Sequence, residues 1–161
     1  MSETKLPVIL VVDDEEMILT SIKAFFAIEA EYEFLTYTSP VTALQDLDKK
    51  IKNIDLVISD YLMPEMDGIT FLGNVKERFP LAPRILLTGY ADKESAVRAI
   101  NHVGLYQYIE KPWDNDELRL IIHNALEKAG LIQQLQEKIR EVAKVQKELR
   151  DVQKDILRVF V

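Results

Sequence analysis

Short apolar runs alternate with segments of helical periodicity over most of the chain. The first run, VILVV at residues 8–12, is mostly β-branched and ends in acidic residues, which predicts a strand buried on both faces. Four further runs are strand-like, at residues 33–37, 55–59, 84–88 and 106–109. Apolar residues recur at helical spacing in four segments, at 16–30, 40–51, 69–79 and 92–103. Five strands alternating with helices predict an α/β fold with a doubly wound, mostly parallel sheet.

The pattern changes after residue 114. Asp114 is a suitable N-cap with Glu117 at the capping-box position, no proline follows Pro112, and only Gly130 interrupts a run of helix formers. This predicts a helix of about 45 residues, about 70 Å long at 1.5 Å per residue, which we expect to project beyond its domain. We therefore expect a globular domain over residues 1–128 and a projecting helix over 129–161.

The projecting helix carries an apolar stripe at heptad spacing. One frame places Ile132, Ile139, Gln146, Gln153 and Phe160 at a, and Leu135, Val142, Leu149 and Ile156 at d. Seven of these nine positions are apolar, which predicts a dimerising coiled coil, with the glutamines setting the register. Val145, Val152 and Val159 widen the stripe at g, so pairing of more than two helices, or packing on another domain, stays open. A helix folded back on its own domain is the weaker alternative, because the stripe is too long.

Charge and composition narrow the class of protein. The formal net charge is -7, and residues 1–130 hold 13 Lys/Arg against 22 Asp/Glu, giving -9, while residues 131–161 hold 7 against 5, giving +2. An acidic globular part argues against direct binding of nucleic acid by that part. The chain has no cysteine, no signal-peptide pattern and no run of about 18 apolar residues. We therefore expect a cytoplasmic protein without a membrane span.

Five residues at predicted strand ends carry suitable chemistry for one site. Asp13 and Asp14 follow the first strand, Asp60 the third, Thr88 the fourth and Lys111 the fifth. Clustered carboxylates favour Mg²⁺, and a hydroxyl and an ammonium bind phosphoryl oxygens. Each residue alone has an ordinary explanation as a helix start, a turn or a solvated surface residue. Their conjunction at the ends of four strands indicates a phosphoryl-transfer site.

These residues lie in motifs that resemble the response-regulator receiver family over residues 6 to 128. The motifs are Asp13-Asp14, SDYLMP at 59–64 with Met66-Asp67-Gly68, Thr88-Gly89, and YIEKP at 108–112. The resemblance implies a flavodoxin-like (βα)5 fold and phosphorylation of Asp60 by a sensor histidine kinase. It also implies that Asp14 and Asp60 coordinate Mg²⁺ directly, Asp13 through a water, and Leu62 through its backbone carbonyl.

The same resemblance implies a switch. Lys111 would pair with the phosphoryl oxygens, Thr88 would move to hydrogen-bond one of them, and Tyr108 would rotate inward. The Lys111–Pro112 bond would be cis. The readout face would include the fourth helix, the fifth strand and the fifth helix.

Two local expectations concern residues near Asp60. Gly68 is expected in a turn that needs positive φ. Leu62 and Tyr90 are apolar or bulky where hydrolytic water must approach, which leads to the hypothesis that they slow self-dephosphorylation.

The favoured interpretation is a response regulator that is not itself an enzyme, in which phosphorylation of Asp60 controls homodimerisation or a downstream output. One alternative is a scaffold that keeps the receiver fold and acts through its coiled coil without phosphorylation. Another is a hydrolase acting through Asp60, which the lack of a separate general base disfavours. These residues encode no helix-turn-helix. The Lys111-Pro112-Trp113 step is similar to that of receivers joined to cyclic-dinucleotide or phosphatase output domains.

Overall fold

Strands and helices alternate along the computed structural model, which describes residues 5–89 and 93–160. The strands are β1 (Val8–Val12), β2 (Glu33–Tyr37), β3 (Leu56–Asp60), β4 (Arg84–Thr88) and β5 (Gln107–Glu110). The helices are α1 (Glu16–Ala27), α2 (Pro40–Lys49), α3 (Gly68–Arg78), α4 (Lys93–Val103) and α5 (Asn115–Phe160). The predicted order of elements is confirmed.

The five strands form one parallel sheet in the order β2-β1-β3-β4-β5. The predicted doubly wound flavodoxin-like fold is therefore confirmed. The chain moves outward from β1 in one direction to β2 and in the other direction to β3, so the strand order reverses beside β1. In such sheets ligands bind at the carboxyl ends of the strands next to this reversal.

Because side chains alternate between the two faces of a strand, the sheet buries two apolar layers. One layer contains Leu10 and Val57 of the sheet with side chains of α2 and α3, among them Leu47 and Phe71. The other contains Val11 of the sheet with side chains of α1 and the first turns of α5. Helices thus cover both faces, which explains why the central strands are apolar throughout.

Several element boundaries differ from the sequence prediction by one to three residues. Helix α1 ends at Ala27 rather than near Ala30, because the chain turns there and Ala30 adopts a φ of 47°. Strands β3 and β5 each lie one residue later than predicted. Asp60 pairs with Leu87 and Glu110 with Thr88, so the ladder extends to these acidic residues despite their low strand propensity.

The chain divides into two units, Met1–Leu126 and Glu127–Val161. Helix α5 begins in the first unit, where Asp114 is its N-cap as predicted. Its Oδ1 accepts hydrogen bonds from the backbone N–H groups of Asp116 and Glu117, at 2.9 and 3.1 Å. The second unit consists of the remainder of this helix. Over the residues that the structure describes, no helix combines the length and apolar character that crossing a membrane requires.

Candidate functional site

The parallel sheet brings four strand ends to one edge. Asp13 follows β1, Asp60 ends β3, Thr88 ends β4 and Lys111 follows β5. The register holds these ends level, since Val12 pairs with Ser59. Residues far apart in the chain therefore meet at the carboxyl edge of the sheet, where the sequence placed the candidate site.

Asp13, Asp14 and Asp60 form an acidic cluster at this edge. One carboxylate oxygen from each lies within 4.8 Å of the others. Asp13 is fully buried and Asp60 is 7% exposed, whereas Asp14 is exposed. Oδ1 of Asp13 accepts a hydrogen bond from the backbone N–H of Glu15 at 2.9 Å, which fixes this carboxylate at the start of α1. The three side chains together present several oxygen ligands to one point.

Lys111 is the counter-charge of the cluster. Its Nζ donates to Oδ2 of Asp13 at 2.8 Å and lies 3.1 Å from Oδ1 of Asp60. Its backbone N–H donates to the carbonyl oxygen of Thr88 at 2.8 Å, and the Lys111–Pro112 bond is cis as expected. Burial would lower the pKa of the Lys111 ammonium, but its bonds to Asp13 and Asp60 outweigh burial and raise that pKa. Lys111 therefore stays charged.

The surroundings of Asp60 disfavour the ionised form of its carboxyl. Burial, followed by the charge of Asp13, raises the pKa of its carboxyl from 3.8 to about 6. The ammonium of Lys111 and the backbone N–H of Tyr61, which donates to Oδ1 at 2.9 Å, oppose this rise only in part. One ammonium faces three carboxylates, so the site has an excess of negative charge that a further cation would relieve.

Thr88 brings an unpaired hydroxyl to the site. Its side chain is fully buried, yet Oγ1 has no hydrogen-bond partner among residues 5–89 and 93–160. A buried hydroxyl without a partner is unfavourable by about 1–3 kcal/mol, and such groups are rare in native proteins. An unpaired donor beside an acidic cluster fits a site that binds an additional oxygen-bearing group.

Gly68 serves the site for a reason other than the one expected. It does not adopt a positive φ; it is the first residue of α3, and its N–H donates to the carbonyl oxygen of Tyr61 at 2.7 Å. A Cβ at Gly68 would overlap the carbonyl oxygen of Asp60. Glycine is therefore needed because α3 begins against the backbone of Asp60.

The remaining predicted residues lie around the cluster. Leu62 is two residues beyond Asp60 with a largely exposed side chain, and Tyr108 of β5 is half-buried against the α2–α3 layer of the core. Tyr90 lies outside the described residues. Sequence reasoning missed the anchoring role of Tyr61, because a backbone N–H leaves no signal in the choice of side chain.

Comparison with known proteins decides the family. Residues 9–123 match the response regulator receiver domain. The chain belongs to the response regulator receiver family. It is 35% identical over 123 residues to the hydrogenase transcriptional regulatory protein HoxA of Cupriavidus necator, covering 76% of this chain and 25% of that protein. It is 37% identical over 134 residues to the regulatory protein AtoC of Escherichia coli, covering 83% of this chain and 27% of that protein. This receiver chain thus spans about a quarter of the length of these curated relatives.

Solved structures agree with this assignment. The signal receiver domain of an HD domain-containing protein from Pseudomonas fluorescens is 37% identical with a TM-score of 0.71, covering 78% of this chain and 98% of that chain. NtrX from Brucella abortus in complex with ADP is 31% identical with a TM-score of 0.73, covering 81% of this chain and 29% of that chain. Receiver domains are phosphoacceptors that interact with sensor histidine kinases and bind Mg²⁺ at an acidic pocket. This receiver is accordingly a phosphoacceptor signalling domain of a two-component system.

Proposed function

We propose that Asp60 is the phosphoacceptor and that its phosphorylation controls the pairing of helix α5. The observation that carries the proposal is the difference between Asp60 and Asp13. Both oxygens of Asp13 are engaged, by Glu15 and by Lys111. Oδ1 of Asp60 is held by Tyr61 and Lys111, whereas no hydrogen bond reaches Oδ2 from the described residues. Asp60 is thus the buried carboxylate with a free oxygen.

The donor set fits Mg²⁺. Asp14 and Asp60 would hold the ion directly, Asp13 through a water molecule, and Leu62 through its backbone carbonyl, in keeping with the preference of Mg²⁺ for oxygen ligands and retained waters. An ion held there would supply positive charge that neutralises the transferring phosphoryl group. The excess of carboxylates over ammonium and the raised pKa of Asp60 support this assignment.

The transfer step uses residues of this chain for positioning. A carboxylate oxygen of Asp60 attacks the phosphorus of a kinase phosphohistidine, the new O–P bond forms as the N–P bond breaks, and the imidazole leaves with the electron pair. Lys111 already lies beside Oδ1 of Asp60 and would bind a phosphoryl oxygen. The unpaired hydroxyl of Thr88 would donate to another. Both groups thus meet the negative charge that phosphorylation adds.

The switch would pass from Thr88 to the proposed readout face, formed by α4, β5 and α5. Thr88 and Lys111 are joined through their backbones by a hydrogen bond, so a movement at Thr88 reaches the end of β5 directly. Tyr108, half-buried on β5, is the proposed aromatic that follows this movement. The equilibrium between two arrangements, rather than a new long-range bond, would carry the signal.

The proposed output is homodimerisation through the second unit, Glu127–Val161. Its apolar side chains are exposed along the whole segment, from Leu131 to Phe160. The relatives HoxA and AtoC are regulators, and the Pseudomonas fluorescens receiver belongs to an HD domain-containing protein. We propose that an output domain or partner protein takes the signal from the paired helices. A phosphorylation-independent scaffold is the alternative.

The test is light scattering of the whole chain in Mg²⁺, before and after addition of the phosphoryl mimic beryllofluoride. We expect a change in mass or shape in the wild type and none in Asp60→Asn. Asp67→Asn is the matched control, because Asp67 is exposed, caps α3 through Oδ1 and is replaced by another good capping residue. A response that survives in Asp60→Asn would refute Asp60 as the acceptor. A dimer unchanged by beryllofluoride in the wild type would favour the scaffold.

A further inference from the structure

The exposed aliphatic side chains of the second unit do not follow a single heptad frame. In the predicted frame, Gln146 and Gln153 occupy core positions although the valine preceding each is apolar. If the frame is moved by three residues, so that Leu149 and Ile156 take a and Val145 and Val152 take d, Lys138 enters the core in place of Ile139. Each frame therefore buries polar side chains in one half of the helix while leaving aliphatic side chains outside.

Both conflicts disappear if the register changes once. A continuous aliphatic line then runs through nine residues: Ile132, Leu135, Ile139, Val142, Val145, Leu149, Val152, Ile156 and Val159. Successive members are three and four residues apart in alternation, except that Val142 to Val145 is a step of three where the alternation requires four. A deviation of this kind is known as a stammer, and it locally overwinds a coiled coil without ending it.

The side chains of the structure support this line. All nine are exposed within the chain, so none is already used in its own fold. Lys138 instead lies on the surface, where its Nζ is 3.5 Å from a carboxylate oxygen of Glu141 and its side chain is 79% exposed. A lysine that is solvated and paired in this way would have to lose both interactions to enter a core.

The charges beside the line favour a second copy of this chain in parallel orientation. After the stammer, one flank of the line is acidic, with Glu148 and Asp155, and the other carries Gln146, Gln153 and Phe160. In a parallel pair unlike flanks meet, so each acidic residue faces an uncharged one. An antiparallel pair would bring the acidic flank against itself, which like-charge repulsion disfavours.

We infer that two copies of the chain pair in parallel and in register through these nine residues, with the stammer at Val142–Val145 placing Gln146 and Gln153 on the flank of the apolar line rather than in it. This inference rests on the proposed dimerisation and adds its orientation and contact residues. The nine aliphatic side chains of each copy form a line about 40 Å long at 1.5 Å per residue.

Cysteine crosslinking of the whole chain tests the inference. The protein contains no cysteine, so a single engineered thiol can form a disulfide only with the same residue of a second copy. The discriminating pairs are Val152→Cys against Gln153→Cys, Val145→Cys against Gln146→Cys, and Ile139→Cys against Lys138→Cys. Leu149→Cys is the positive control, since Leu149 is a core residue in every frame. We expect the first member of each pair to form the disulfide-linked dimer about tenfold faster than the second, because only core positions bring the two Cβ atoms close enough.

Each other outcome has a distinct meaning. Faster linkage of Gln153→Cys than of Val152→Cys would overturn the stammer in favour of the original frame. Faster linkage of Lys138→Cys than of Ile139→Cys, with Val152→Cys also fast, would overturn it in favour of the other single frame. A dimer by light scattering in which Leu149→Cys does not link would overturn the parallel orientation. A monomer by light scattering would instead refute the proposed dimerisation itself.

Discussion

The two units of the chain use similar aliphatic residues with opposite results. In Met1–Leu126, leucine, isoleucine and valine of the central strands are fully buried between two layers of helices. In the second unit, Glu127–Val161, the same residue types are exposed from Leu131 to Val159. A sheet with helices on both faces supplies its own core, whereas a single helix has only one stripe and needs a partner to cover it. Aliphatic residues therefore form an internal core in the first unit and a surface that needs a partner in the second.

The largest expected effect is a difference between two leucine truncations. Leu72 of α3 is fully buried in the receiver, and Leu149 is exposed in the chain. Leu72→Ala should lower the free energy of unfolding of the receiver by about 2–5 kcal/mol, because it leaves a cavity. Leu149→Ala should leave receiver unfolding nearly unchanged and weaken self-association. Urea unfolding and sedimentation equilibrium measure the two effects separately.

Equal destabilisation of the receiver by both truncations would contradict the contrast between the two units. That result would mean that Leu149 is covered by the receiver rather than by a second copy. Lys147→Ala is a suitable control for the helix, because it removes an exposed side chain outside the apolar line.

The second prediction concerns the cost of ionising Asp60 in the absence of metal. Its pKa is raised from 3.8 to about 6 in the folded protein, so protonation of this carboxyl favours the fold. Stability linked to Asp60 is therefore fully present below about pH 3.8 and is lost as the pH rises through about 6. In chelator, Asp60→Asn should be more stable than the wild type by about 1–3 kcal/mol above pH 7, and the difference should shrink as the pH falls toward 4.

Denaturant unfolding of both proteins from pH 4 to pH 8 measures this difference. Millimolar Mg²⁺ should reduce or reverse it, because the ion stabilises only the wild type to the full extent. Trp113, the one tryptophan of the chain, lies two residues beyond Lys111 and supplies a fluorescence signal for both unfolding and metal titration. Equal stability of the two proteins at pH 8 in chelator would contradict the electrostatic account of the site.

Much of the receiver followed from sequence because two signals agreed. Apolar runs such as residues 8–12 located buried strands, and parallel pairing then required Asp13, Asp60, Thr88 and Lys111 to share one edge of the sheet. Asp114 was predicted as a helix cap because capping depends on local chemistry. In these cases local sequence and tertiary structure impose the same requirement.

The features that sequence could not provide depend on distant backbone. The role of Gly68 is set by the carbonyl oxygen of Asp60, which no local pattern reveals. The ends of β3 and β5 are set by pairing with β4, which carries the ladder onto Asp60 and Glu110. The unpaired state of the Thr88 hydroxyl similarly follows from what surrounds it in space.

The smallest expected effect concerns that hydroxyl. Because Thr88 Oγ1 has no partner in the described residues, Thr88→Val removes an unsatisfied group while keeping the shape of the side chain. The unphosphorylated receiver should be unchanged or more stable by up to about 1 kcal/mol, in contrast to the usual cost of removing a buried hydrogen-bonding group. Thermal unfolding measures this difference, and the light-scattering response to beryllofluoride in the same variant should be weakened. Thr36→Val, at a half-buried threonine of β2, is the matched control for the substitution itself. If Thr88→Val lowers stability by more than about 1 kcal/mol and Thr36→Val does not, the Thr88 hydroxyl already has a hydrogen-bond partner in the unphosphorylated receiver. It would then not be available to a phosphoryl oxygen without losing that bond.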